Sequence, residues 1–153
     1  MKHILSAAIA AAGVVVIVLM TALSDRADAQ LTAKAPDLVP VASRILNGTV
    51  SARNTGSANA GAFVITVQCQ KQGRGSCAEH RGFAAYENPG YPNRLVISVP
   101  GLGQGQVFNH ALPFWNQLAW QPGNYNFVIE VDAGKMIGET NEGNNFGGAV
   151  LAK

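Results

Sequence analysis

Oxygen donors gather near the C-terminal end of this chain. Glu130, Asp132, Glu139 and Glu142 are four of its nine acidic residues, and Asn141, Asn144 and Asn145 stand among them. Carboxylate and amide oxygens are the hard ligands that calcium takes, with Asp132, Glu139 and Glu142 as the charged members of such a site. The spacing does not follow the helix-loop-helix calcium loop, however. Asn and Asp side chains also bond to nearby backbone and hold turns, and Gly143 supplies a permissive conformation in this stretch. A structural hairpin built by Asp132, Glu139, Asn141, Glu142, Asn144 and Asn145 is therefore the expected role. A calcium-stabilised domain is the alternative, and no other cofactor is suggested.

Other reactive side chains are few. Cys69 and Cys77 are the only two cysteines, separated by a polar, turn-rich stretch. In an oxidising compartment they are expected to form a disulfide, which closes a short loop and stabilises the fold by roughly 2–3 kcal/mol. Cys-x-x-Cys spacing is absent, and two thiols alone do not make a zinc site. His3, His80 and His110 are isolated, and neither a Gly-x-Ser-x-Gly elbow nor a His-Glu-x-x-His motif occurs. No catalytic residue is assigned, and the chain is not expected to be an enzyme. Gly101-Leu102-Gly103-Gln104-Gly105 lacks the Lys-Ser or Lys-Thr ending of a phosphate loop and runs into a strand pattern, so it reads as a hinge. Asn47-Gly48-Thr49 fits a glycosylation acceptor and a tight turn equally well. Tyr86 and Tyr91 flank a Pro-Gly loop. With Arg81 they are the recognition residues expected on the long segment Lys71 to Asn93. Trp115 and Trp120 lie near loops, where such rings stack on sugars or anchor a protein partner, but at least one of them is expected to pack, Trp120 because it precedes the turn before a core strand.

The elements that must position these residues are strands. Tyr125, Phe127, Ile129 and Val131 fall on alternate positions and share one face, with Asn126, Glu130 and Asp132 on the other and Val128 as the apolar exception. Phe63, Ile65, Val67 and Cys69 alternate in the same way, as do Leu95, Ile97 and Val99. Pro36–Val41 reads as an edge strand because Pro40 cannot donate to a ladder. Thr49–Asn54 and Val107–Leu112 are further strands, Phe83–Tyr86 is a weaker one, and Glu87–Asn93 reads as a loop or paired turns. No stretch beyond the N-terminal segment shows helical spacing. Seven to eight short strands divided by turn residues indicate an all-β, antiparallel β-sandwich.

Composition points the same way. The 153 residues suffice for one domain, and only 13% of them are charged, well below the usual quarter. Met1-Lys2-His3, an apolar run from Ile4 to Leu23 and Ala27-Asp28-Ala29 describe a signal peptide over 1–29, with an uncleaved anchor as the rival reading because the run is long enough to span a bilayer. A flexible lead-in over 30–35 and the folded domain over 36–153 follow. The product is expected outside the cytoplasm, periplasmic or secreted, with no membrane segment after cleavage. The net charge is +2 without a basic run, so no nucleic-acid partner is expected.

Several stretches in fixed order resemble CARDB, the cell-adhesion-related domain found in bacteria. They are Pro36-Asp37-Leu38-Val39, then Val50-Ser51-Ala52-Arg53-Asn54-Thr55-Gly56, then Gly123-x-Tyr125, Val131-Asp132, Glu139-x-Asn141-Glu142 and Asn144-Asn145. The resemblance implies an immunoglobulin-like or fibronectin-like sandwich that serves exported proteins as a non-catalytic module. The segment Gln70–Gly105 is long for the family, and the cysteine pair is not part of its motif. The expected function is an exported binding or interaction module whose partner is an envelope or extracellular protein or a glycan. A structural envelope protein that self-associates through exposed strand edges is the alternative.

Overall fold

The computed structural model describes residues 34–72, 87–88 and 90–153. The signal peptide, the start of the lead-in, Cys77, Arg81, the Phe83–Tyr86 strand and Tyr86 lie outside the described residues. Two antiparallel sheets make up the rest, three strands in the order β1-β2-β6 and five in the order β4-β5-β3-β7-β8. The strands are β1 (Leu38–Pro40), β2 (Thr49–Asn54), β3 (Phe63–Lys71), β4 (Glu87–Asn88), β5 (Tyr91–Val99), β6 (Val107–Ala111), β7 (Asn124–Val131) and β8 (Phe146–Ala152). The all-β sandwich is thus the fold.

Period-two patterning decides which side of each strand is dry. On β7, Tyr125, Phe127, Ile129 and Val131 are buried, whereas Asn124, Asn126 and Val128 are exposed. On β3, Phe63, Ile65, Val67 and Cys69 turn the same way, and register pairs Ile65 with Val131 and Cys69 with Phe127. Leu95, Ile97 and Val99 of β5 extend this row, and Leu38, Val50 and Ala52 join it in one core from the smaller sheet. Each large side chain so buried contributes roughly 1.5–3 kcal/mol. On the outer face Arg94 of β5 donates to Glu130 of β7 at 2.5 Å and to Thr66 of β3 at 3.2 Å, bridging three adjacent strands. The pair is partly exposed, so its value is at most about 1 kcal/mol.

Two expectations are corrected. Glu87–Asn93 is not a loop: β4 pairs with β5, Asn88 opposite Tyr91, and the register shifts between Glu87 and Asn88. A chain reversal rich in Pro, Gly and Asn at a hairpin end has the same composition as a free loop. Ala42–Asn47, without helical spacing, forms a 3₁₀ helix with Ile45 buried beneath it. Its end is set by Gly48, which adopts a φ of 72° and returns its N–H to Ile45 C=O at 2.9 Å. β1 lies at a sheet edge, as its proline requires.

Both tryptophans pack. Trp115 is 7% exposed, and its ring centroid lies 4.9 Å from that of Trp120 and 5.6 Å from that of Phe127. Trp120 in turn meets Tyr125 edge-on at 4.7 Å. The Tyr125 hydroxyl donates to Gln121 C=O and accepts from Gln121 N–H, both at 3.0 Å, which fixes the corner leading into β7.

Candidate functional site

The polar hairpin after β7 is built from its carboxylates. Asp132, buried at a φ of 49°, accepts from Met136 N–H at 3.0 Å and from Ile137 N–H at 2.9 Å. Glu139 accepts from Leu38 N–H through one oxygen and from Asn145 Nδ2 at 2.9 Å through the other. Glu142 accepts from Glu139 N–H at 3.1 Å and from Asn145 Nδ2 at 3.4 Å. Asn141 caps the short 3₁₀ turn Glu142–Asn144 by accepting from Gly143 N–H at 3.0 Å. Asn144 donates to Asp37 Oδ1 at 2.9 Å, and Thr140 N–H donates to Pro36 C=O at 3.0 Å. Of the six side chains singled out from the sequence, Glu139 and Asn144 clasp the hairpin onto Leu38 and Asp37, while Asp132, Asn141, Glu142 and Asn145 bond within the hairpin.

Every carboxylate oxygen of Asp132, Glu139 and Glu142 already accepts an N–H. Among the described residues no three His, Cys, Asp or Glu side chains converge as metal ligands would.

Burial raises the Glu139 carboxyl above its ordinary 4.5, and the nearby Glu142 and Asp132 charges push the same way against the N–H groups of Leu38 and Asn145. A carboxyl raised in the fold holds its proton more tightly there than in the unfolded chain. Its contribution is full below 4.5 and is lost as pH climbs through the raised value. Between about pH 4 and about pH 7, Glu139→Gln is therefore expected to gain stability relative to the parent. Thermal melts of both proteins across that range test this, and a constant difference contradicts it.

Of the expected recognition residues, Tyr91 alone is described. It is half-buried at the start of β5 and borders an apolar cleft of about 450 Å³ with Phe63, Val64, Val99, Pro100 and Met136. Met136 is 73% exposed. Gly134 completes the wall: a Cβ there would stand 3.2 Å from Met136 Cγ and 3.5 Å from the Tyr91 hydroxyl. Sequence reasoning missed Met136, which has no periodic partner. An apolar Met136-Ile137 pair inside an otherwise polar hairpin was the signal that could have found it. Cys69 is buried on the core face of β3 and is not a free thiol.

No protein-family model matches the chain, and no curated protein does. Solved structures do match. The chain is similar to a CARDB domain. That domain comes from a Pyrococcus furiosus protein crystallised in complex with di-metal ions; identity is 19%, coverage 79% of this chain and 96% of that one, and the TM-score 0.43. A second match is a domain of a protein described as a cell-surface protein of Methanosarcina acetivorans, solved by NMR in solution, at 20% identity, 78% and 92% coverage and a TM-score of 0.46. The CARDB resemblance of the sequence is met again among solved structures, while the sandwich itself rests on the pairing of strands within the two sheets.

Proposed function

We propose that the chain is an exported, non-catalytic interaction module that receives an apolar side chain of an envelope or extracellular protein in the Tyr91–Met136 cleft. The exposed Met136 beside Tyr91 carries this reading. A flexible thioether and an aromatic ring on an open apolar wall suit a protein anchor better than a sugar, which needs several convergent polar groups. Export rests on the leader over 1–29, with the lead-in over 30–35 and the domain over 36–153. A Cys69–Cys77 bridge is supported by the disulfide-bonded state of Cys69 in a chain with two cysteines.

The test is cross-linking capture of partners from the host envelope with the purified chain, comparing Tyr91→Ala and Met136→Ala with the parent. Loss of one anchor is expected to weaken capture roughly 5- to 30-fold. An unchanged partner profile in both variants overturns the proposal. Capture of glycan in place of protein would overturn the choice of ligand.

A further inference from the structure

The edge of the larger sheet at β8 lacks the usual protection. Gly123 and Lys153 exchange both backbone hydrogen bonds, at 2.9 and 3.1 Å, and this sets the phase of the β7–β8 ladder. Bonded pairs alternate in an antiparallel ladder, so Leu151, Ala149 and Gly147 bond to β7. Phe146, Gly148, Val150 and Ala152 then turn their N–H and C=O groups away from the sheet. Among the described residues none of these groups meets a backbone partner. Among the described residues the other edges are shorter: β1 is three residues with a proline, β4 is two residues long, and β6 is five residues with Arg44 reaching over to Asn109. By contrast β8 has seven residues, Phe146 to Ala152, with no charge and no proline.

We propose that β8 pairs antiparallel with β8 of a second copy across a two-fold axis at Ala149. Three properties of the strand select this partner and register. First, the axis at Ala149 sets Phe146 against Ala152 and Gly148 against Val150, so about eight hydrogen bonds form, the most any register allows. A slide of two residues in either direction loses one of those pairings. Second, the two large exposed side chains, Phe146 at 59% and Val150 at 56%, each face one of the smallest residues of the other copy. The slid registers would instead oppose Phe146 to Val150 or Val150 to itself. On the inner side Gly147 meets Leu151 and Ala149 meets Ala149. Third, the ends complement in charge. Lys153 follows β8 and comes beside the other copy's Glu139–Asn145 turn, where Glu142 is exposed, and symmetry repeats the contact. Pro40 of β1 and Ala42 of the following 3₁₀ helix approach this strand at Gly147, on its inner side.

One pairing of two strands buries less than the roughly 1,200 Å² of a standard interface. A dissociation constant on the order of 10 µM is therefore expected. The inference is independent of the cleft at Tyr91, which the pairing does not involve. Sedimentation velocity of the full chain from about 1 to about 200 µM is expected to show a concentration-dependent dimer, since that range brackets such a constant. Val150→Lys should weaken it at least about tenfold while leaving the circular dichroism melt unchanged, because the residue is already exposed. Register is read by oxidising Gly148→Cys, Ala149→Cys and Val150→Cys in turn. Ala149 alone faces itself, and the roughly 4.5 Å between opposed Cα atoms of a non-bonded pair suits a disulfide. A covalent dimer from Ala149→Cys only is expected. A monomer at every concentration, a dimer indifferent to Val150→Lys, or cross-linking at 148 or 150 in place of 149 overturns the proposal.

Discussion

Asn54→Leu is expected to lower the unfolding free energy by about 3–5 kcal/mol, with a proportionate drop in the denaturant midpoint. Asn54 is fully buried at the end of β2, where the strand pattern places a core-facing side chain. It is tolerated because its whole amide is used. Oδ1 accepts from Asp37 N–H at 3.2 Å and Gly56 N–H at 3.0 Å, and Nδ2 donates to Ala58 C=O at 2.8 Å and Leu102 C=O at 3.0 Å. Leucine matches the shape and satisfies none of these groups. An unpaired buried polar group costs about 1–3 kcal/mol, and the partly exposed ones recover some of that from water. A loss under about 1 kcal/mol would show that water replaces the amide, so that Asn54 would not be what holds this end of the sandwich together.

The second large effect is at the opposite end. Trp115→Ala is expected to cost about 3–5 kcal/mol, as removal of a buried indole usually does. The ring leans on Gly48: a Cβ at that position would lie 2.3 Å from Trp115 Cγ, and the φ of 72° disfavours any other residue. Gly48→Ala should therefore destabilise by about 2–4 kcal/mol through strain and clash together. With Trp115 already removed, the clash disappears and the backbone strain stays. The double variant should fall short of the sum of the two losses by at least about 1 kcal/mol, measured by denaturant titration. Strict additivity would mean that the contact between Gly48 and Trp115 is not felt.

What was legible in the sequence follows from how local the signals are. The strands β3 and β7 and the second half of β5 announce themselves because alternate apolar side chains need only neighbouring residues to be recognised. Strand β8 is harder to read, since Gly147-Gly148 removes the side chains that would carry the alternation. The 3₁₀ helix over Ala42–Asn47 is one buried Ile45 on an otherwise half-covered turn, too short for a period to repeat. The hairpin residues Asp132 to Asn145 could be singled out by type. Their acceptors and donors at Pro36, Asp37 and Leu38 could not, because topology alone brings that segment to them. The cleft shares this difficulty: Tyr91 was chosen for a loop, yet its neighbours Val64 and Met136 reach it from separate parts of the chain.

That clasp has a bearing on how the chain matures. Leu38 and Asp37 find their partners 101 and 107 positions downstream, at Glu139 and Asn144. Synthesis delivers the first strand long before the hairpin that latches it, and contacts so distant close late and slowly. A nascent molecule lacking the turn over 139–145 holds that strand only through β2 and through the bonds of Asn54 and Thr55 to Asp37. When that turn arrives, the approach to the strand gains its second set of anchors, at Glu139 and Asn144.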